Sequence, residues 1–366
     1  MPDPHLVYIT HSAFWRPSNG QWARARALAE YLGARMRLTV VYLGALTTED
    51  QRTLAANRAG LRVLATGRDP ATRGAMIGRV RDLLAGPPPT AGLIEGLGNA
   101  YLLDALPPHI PRALDCQDLL SQRRASMARL GLEPDQGMDE AVERTIIDRF
   151  DLVLCIQRDD LARIRRWNGR AEPLLAPHPA QCLPMAIRPR VGAIGMVASN
   201  YHPNVDGLNQ FLQRVWPRLA TPGLQLHLFG NISAGFQGIR LRNVRFHGIQ
   251  PLLEACYKKL DIVINPVRYG SGLKIKSVEA LGHGLPLVTT REGASGLTHL
   301  DGRALIIADS DGDFAAAIDL LAREEGRRRA MASQGLAEVA LHLNPEACFG
   351  ELARRILGSW GTADRG

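Results

Sequence analysis

The stretch Tyr269-Gly-Ser-Gly-Leu-Lys-Ile-Lys-Ser-Val-Glu-Ala-Leu-Gly-His-Gly-Leu-Pro-Leu-Val-Thr-Thr290 holds the residue types and spacing best suited to chemistry. It follows an apolar run ending in Asn265-Pro266 and reads as strand, glycine turn, helix, then strand. Gly270 and Gly272 permit a tight turn with exposed amides. A helix starting near Gly272 would aim unpaired N–H groups and its positive dipole end at the same place. Such a turn suits a diphosphate. Lys274 and Lys276 add mobile positive charge, and Glu279, two helical turns in, is placed to accept paired hydrogen bonds from ribose hydroxyls. An ordinary βα turn with a solvated Lys–Glu pair would read the same way. Composition tilts toward the first: only four of the 44 basic residues are lysine (Lys258, Lys259, Lys274, Lys276), and two of them fall in this turn. That points to a slot needing a compact ammonium rather than a planar guanidinium.

A second candidate is Leu114-Asp-Cys-Gln-Asp118, which closes a strand whose end faces the ligand side of an open α/β sheet. Asp118 is then a general base toward an acceptor hydroxyl, or orients it, and Glu95, ending an earlier strand, is a further candidate. The competing expectation is that Asp115 or Asp118 caps the following helix. Asp309-Ser-Asp-Gly-Asp313 is no calcium loop, because Phe314 and Leu320 stand where glycine and glutamate are needed; it reads as a loop with an N-cap. No other metal cluster is expected. Arg163-Ile-Arg-Arg-Trp167, with Arg170 behind it, puts basic residues and an indole on one surface helix, either a solvated face or a docking site for anionic lipid. His11, His178 and His202 fall in predicted turns, where a histidine binds ligand or caps.

The elements that must position these groups alternate along the whole chain, short β-branched runs with longer amphipathic stretches, so the fold class is α/β with parallel sheets. Strands are expected at Leu6 to Thr10, Leu38 to Gly44, Leu61 to Thr66, Gly92 to Glu95, Ala113 to Cys116 and Leu152 to Ile156. Helices include Gln21 to Leu32 and Asp139 to Arg149. Pro173, Pro177, Pro179, Pro184 and Pro189 then oppose both helix and central strand, marking a linker. Beyond it strands are expected at Val191 to Val197, Leu224 to Phe229, Val244 to His247, Ile262 to Asn265, Pro286 to Thr289 and Ala304 to Ala308. Two Rossmann-like halves joined this way imply a cleft, with domains over residues 1–186 and 187–343 and a terminal segment 344–366.

Composition bounds the rest. At 366 residues, 46% hydrophobic and 22% charged, the chain is neither disordered nor fibrous. A net charge of +8 favours phosphates, anionic headgroups or nucleic acid. Against nucleic acid, the sequence lacks a binding module and an aromatic-studded basic strand. Five cysteines without a C-x-x-C pair suggest free thiols rather than disulfides or zinc. With no long apolar run and no signal-peptide pattern at the start, a cytoplasmic protein is expected.

The glycine–lysine stretch resembles the donor-site signature of GT-B glycosyltransferases, particularly the GT4-like group. Gly195-Met-Val-Ala-Ser-Asn-Tyr-His-Pro-Asn-Val-Asp-Gly207, followed by Val215-Trp-Pro217, is similar to the donor-domain opening of a bacterial polysaccharide branch of that group. Asn243-Val-Arg-Phe-His-Gly248 and Leu260-Asp-Ile-Val-Ile-Asn-Pro266 fit the same spacing. The resemblance implies that Gly272, Leu273, Lys274 and Lys276 hold a donor diphosphate, Glu279 the ribose, and Gly248, Ile249 and Gln250 the base. Pro17-Ser-Asn-Gly20 resembles the family's glycine turn beside the phosphates, though a plain turn and N-cap would look alike. Two departures stand out: Ser271 replaces the first glutamate of the E-x7-E pattern, and Met196 and Asn204 lie where an Arg/Lys pair is usual. The resemblance further implies sugar transfer from a nucleotide-diphosphate sugar to a hydroxyl of a saccharide or lipid-linked saccharide, without metal or other cofactor; a cytoplasmic protein is expected, with peripheral contact at the inner face of a membrane as the option that the Arg163–Trp167 helix leaves open. A segment from Glu346 to Trp360 would cross back as a helix to the first domain. The rivals are a nicotinamide-dependent oxidoreductase, which should show G-x-G-x-x-G after a strand and does not, and a non-catalytic nucleotide-sugar or polyanion binder.

Overall fold

The computed structural model describes residues 4–16, 20–56, 61–67, 72–133, 137–236, 238 and 241–358. The chain divides into two compact units, one of residues 1–121, 136–177 and 345–366, the other of residues 122–135 and 178–344.

In the first unit, β1 (His5–Thr10), α1 (Gly20–Gly33), β2 (Arg37–Tyr42), α2 (Thr48–Ala56), β3 (Arg62–Ala65), α3 (Arg73–Leu83) and β4 (Ala91–Glu95) alternate strictly. A 3-10 segment (Leu97–Ala105) leads to β5 (Arg112–Asp115), and α4 (Leu120–Ala128) and α5 (Glu140–Ile147) follow. Then come β6 (Leu152–Cys155), α6 (Arg158–Trp167) and β7 (Glu172–Leu175). The seven strands form a parallel sheet in the order β3-β2-β1-β4-β5-β6-β7, so the strand order reverses between β1 and β4. Both are buried along their whole length, as expected for strands covered on both faces. Val7, Ile9, Ile94, Leu114 and Val153 pack with Phe150 and Trp167 in the core.

The proline-rich segment begins later than its composition suggests. Pro173 lies inside β7, paired with Val153. β7 is the sheet edge, where a residue without an N–H leaves no ladder bond unmade on its open side. Residues 176–192 are without helix or strand.

The second unit holds β8 (Ala193–Val197), α7 (His202–Gln210), β9 (Gln225–Phe229), β10 (Val244–Gly248), α8 (Leu253–Tyr257), β11 (Ile262–Asn265), α9 (Ile275–Gly282), β12 (Leu287–Thr289) and β13 (Leu305–Ile307). Two helices, α10 (Asp311–Arg323) and α11 (Glu325–His342), complete it. Its six parallel strands run β10-β9-β8-β11-β12-β13, reversing between β8 and β11. Ile194, Met196, Leu226, Leu228, Ile262 and Ile264 form the core with Phe211 and Phe314. Ser310 caps α10 through Asp313 N at 3.0 Å, as its sequence suggested. The last helix, α12 (Pro345–Leu357), belongs to the first unit and contributes buried Phe349 and Leu352. Ser359 and Trp360 lie outside the described residues.

Candidate functional site

The glycine turn sits at the carboxyl end of β11, beside the point where the second sheet reverses, which is where open α/β sheets bind ligands. Gly270 has φ +143° and Gly272 φ +69°, so residues 270–272 cannot be helical. The helix therefore starts at Ile275, three residues later than the sequence implied, with Ser277 N bonded to Lys274 O at 2.8 Å. Glu279 is one turn inside α9 rather than two.

The two lysines behave differently. Lys274 folds back over the turn: its ammonium donates to Ser271 O and Gly272 O, both at 3.0 Å, and to Glu292 Oε1 at 2.7 Å. All three of its protons are engaged, and its charge is offset by Glu292. Ser271 and Leu273 complete the turn, Leu273 buried beneath it. Lys276 instead donates to Asn204 Oδ1 on α7, a short bond joining two expected donor residues that are 72 positions apart. Asn204 is itself held by Ser199, its amide donating to Ser199 O at 3.0 Å. Burial, with Lys274 as a smaller contribution, lowers Lys276 to about 7. Glu279 is raised to about 7 by burial, against the pull of the Tyr257 hydroxyl, which donates to its Oε2 at 3.0 Å. Lys276 is thus a half-buried ammonium of depressed basicity beside the glycine turn, where an added negative charge would favour its protonated form.

The Asn265 side chain ties the parts together, donating to Ser277 Oγ at 2.9 Å and to Gly293 O at 3.2 Å. Gly207 allows α7 to approach closely, since a Cβ there would come within 2.4 Å of Pro266 O. Gly270 N donates to Ser126 Oγ at 2.7 Å.

Gly248 and Ile249 lie at the end of β10, the edge strand of the same sheet, Gly248 with φ +65° and Ile249 exposed. Gln250 folds back onto His247 O at 2.8 Å. Gly20 opens α1 in the first unit; Pro17, Ser18 and Asn19 lie outside the described residues.

In the first unit the carboxyl ends of β1, β4 and β5 gather polar groups. Glu95 is fully buried and accepts from Thr10 Oγ1, from Ser12 Oγ at 2.7 Å and from Gln117 Nε2 at 2.7 Å. Asp115 is taken by Arg24, whose Nη2 lies 2.7 Å from Oδ1 in a pair buried from solvent. Neither Asp115 nor Asp118 supplies the bond that caps α4. Glu143 does, accepting Leu120 N at 2.6 Å and Ser121 N at 3.3 Å. Asp118 stands half-buried just past β5, after Gln117 at φ +58°.

The α6 surface differs from its sequence reading. Trp167 is buried, its indole N–H on Glu140 Oε1 at 3.0 Å, and Arg163 pairs with the other Glu140 oxygen at 2.9 Å. The helix exposes Arg165 and Arg166 but no indole, because its apolar stripe, Ile164 and Trp167, faces the core. His202 is the first residue of α7 rather than a turn, its Nδ1 bonded to Tyr269 OH. Among the described residues no cluster of metal-ligating side chains occurs, and no helix is long and apolar enough to cross a membrane.

Tyr257, Glu292 and Ser126 carried no sequence signal, since each reaches the site through tertiary packing alone.

Residues 189–324 match the family described as Glycosyl transferases group 1. No curated protein matches the whole sequence significantly. Among solved structures, sucrose-phosphate synthase from Thermosynechococcus elongatus aligns with TM-score 0.74 at 14% identity, covering 97% of this chain and 100% of that one. HepE of Anabaena in complex with UDP and glucose aligns with TM-score 0.71 at 15% identity, over 96% and 99% of the two chains. WaaG, a glycosyltransferase involved in lipopolysaccharide biosynthesis, aligns with TM-score 0.66 at 13% identity, over 96% and 100%.

Proposed function

We propose that the chain transfers a sugar from a nucleotide-diphosphate donor to a saccharide hydroxyl, a reading supported by the match of residues 189–324 to Glycosyl transferases group 1 and by the fold shared with sucrose-phosphate synthase. The observation that carries this reading is the convergence of the Gly270–Gly272 turn, Lys276, Asn204 and Glu279 where the second sheet reverses. The complexes of HepE with UDP and glucose support a uridine donor as the first to test.

In this reading the turn amides and the Lys276 ammonium hold the diphosphate, and Glu279 accepts from the ribose hydroxyls. As the bond from the anomeric carbon to the diphosphate breaks, charge gathers on the departing phosphate and is met by Lys276 and the amides. The acceptor oxygen bonds to that carbon and gives up its proton. Asp118 is the group proposed to take it. Phosphate charge is thus met by protein groups, so transfer is proposed to need no metal. The bacterial polysaccharide resemblance favours a growing or lipid-linked saccharide as acceptor.

The test is release of nucleoside diphosphate from UDP-, GDP-, ADP- and dTDP-sugars with mono- and oligosaccharide acceptors. One donor class should turn over well above the others, and turnover with none would reject the reading. Asp118→Asn should lower kcat by about 100-fold, within the usual worth of a general base, and leave diphosphate affinity unchanged. Retained turnover would remove Asp118 from the mechanism.

A further inference from the structure

We propose that Tyr257, at the end of α8, is the positioning residue of the ribose site: its hydroxyl fixes the Glu279 carboxylate in its accepting form and so sets the preference for nucleotides bearing ribose hydroxyls. This rests on reading Glu279 as the ribose acceptor. Tyr257 is fully buried, and its hydroxyl donates to Glu279 Oε2 at 3.0 Å. A phenol has one proton to give. The other acceptor in reach, Lys276 O, is 3.4 Å away, so the nearer and charged carboxylate takes it. The ring is held as well. It stacks on His283 with centroids 4.4 Å apart, and His283 Nδ1 donates to Leu183 O at 3.2 Å. His283 caps the carboxyl end of α9, so Tyr257 is braced against the helix that carries Glu279.

An acceptor must be oriented and ionised, and the bond serves both needs. The last torsion of a glutamate is broad, so its helix does not set the plane of the carboxylate, whereas a donor on Oε2 does. A carboxylate offers about four acceptor positions, and the phenol uses one, which leaves capacity for a pair of ribose hydroxyls. Burial drives Glu279 up to about 7, and the Tyr257 hydroxyl is the larger of the two influences opposing it, the Lys276 charge the smaller. Without the phenol, Glu279 is mostly protonated at pH 7 and gives up an accepting position to its own proton. The other groups around it stay neutral from pH 7 to 9. Burial pushes Cys256 on α8 up to about 11 and Tyr257 well above its ordinary value, and it lowers His283, on which exposed Glu254 also acts. Lys276 alone changes charge beside Glu279 in that range.

The experiment titrates the full chain with UDP, GDP, ADP and dTDP, each beside its counterpart without 2′ and 3′ hydroxyls, at pH 7, 8 and 9. The ratio of the two affinities reads the hydroxyls, because base, phosphates and Lys276 bear on both ligands alike. For the diphosphate that wild type binds best, the hydroxyls should favour binding about 30- to 100-fold at pH 8. Tyr257→Phe keeps the ring and should lower that ratio about 5- to 10-fold at pH 7, with most of the loss recovered by pH 9. Glu279→Gln should lower the ratio at least about tenfold at every pH, and adding Tyr257→Phe to it should change the ratio no further. The melting temperature of each unliganded variant shows whether it is folded. Tyr257→Met, also without a hydroxyl, takes over if Tyr257→Phe is not. If Tyr257→Phe keeps the wild-type ratio, or lowers it equally at all three pH values, its role is structural and the proposal fails while the ribose reading stands. If Glu279→Gln keeps the wild-type ratio, the ribose reading fails and the proposal with it. If wild type binds none of the four diphosphates, both fail.

Discussion

Arg24→Met should destabilise the first unit by about 3–5 kcal/mol, the typical cost of leaving a buried carboxylate without its partner. Arg24 is among the largest fully buried side chains in the protein. It donates through Nε and Nη2 to Asp115, with bonds of 2.7 to 3.1 Å, and through Nη1 to Pro177 O at 3.0 Å. Its guanidinium also lies 5.6 Å from the Phe349 ring of α12. One side chain thus links α1, the end of β5, the start of the proline-rich segment and the last helix. Removing it strands Asp115 at the carboxyl edge of the sheet, where burial penalises an uncompensated charge. A loss of this size is a large fraction of an ordinary domain's stability of roughly 5–15 kcal/mol. Chemical denaturation measures it. The double variant Arg24→Met/Asp115→Leu should recover much of the loss, because the pair's worth lies in mutual compensation. Equal stability of Arg24→Met and wild type would contradict the account.

Lys276→Ala should lower kcat by about 100- to 1000-fold, the usual cost of removing one preorganised group from developing charge. The same lysine sets a pH dependence. In the free protein its ammonium is held down to about 7, so from pH 7.5 to 9 it is largely neutral. A bound diphosphate favours the charged form, so binding takes up a proton and affinity falls as pH rises, by up to about tenfold per pH unit. Glu279, raised to about 7, is mostly ionised throughout that window and contributes little slope. Isothermal titration across pH 7.5 to 9 should show this fall in wild type and its absence in Lys276→Met. A flat wild-type profile would separate Lys276 from the phosphate.

The fold was legible wherever the chain buries strands on both faces. β11 was found to the residue, and β1, β4 and β9 within one, because continuous Val, Ile and Leu runs between polar turns leave few other choices. β7 was hidden by Pro173, whose tolerance depends on its being an edge strand, and edge position is a property of the sheet rather than of the segment. The late start of α9 has a similar origin: glycine permits either sign of φ, and contacts at Gly270 and Lys274 decide it. The basic neighbours of Trp167 suggest an exposed indole, whereas its spacing from Ile164 puts it on the buried stripe of α6.

At the site, residue types announced the chemistry but not the partners. Lys274 and Lys276 look alike in sequence, and what separates them is Glu292 facing one and Asn204 the other. Asn204, an expected donor-site residue standing where a basic residue is usual, gives no sign in sequence that it accepts the Lys276 ammonium. Its own amide is held by Ser199, and the amides opening α4, for which Asp115 or Asp118 was the expected acceptor, are taken by Glu143, more than 20 residues away in sequence.

The central claim is that the second unit holds a nucleoside diphosphate between the glycine turn and Glu279. The most direct measurement is the thermal stability of wild type and Glu279→Ala with UDP, GDP, ADP and dTDP, each at saturating concentration. A ligand at a hundredfold excess over its Kd stabilises the folded state by about 2.7 kcal/mol, so one nucleotide should raise the wild-type melting temperature clearly. That rise should be largely lost in Glu279→Ala. No rise with any of the four on folded protein, or an equal rise in the variant, would contradict the account.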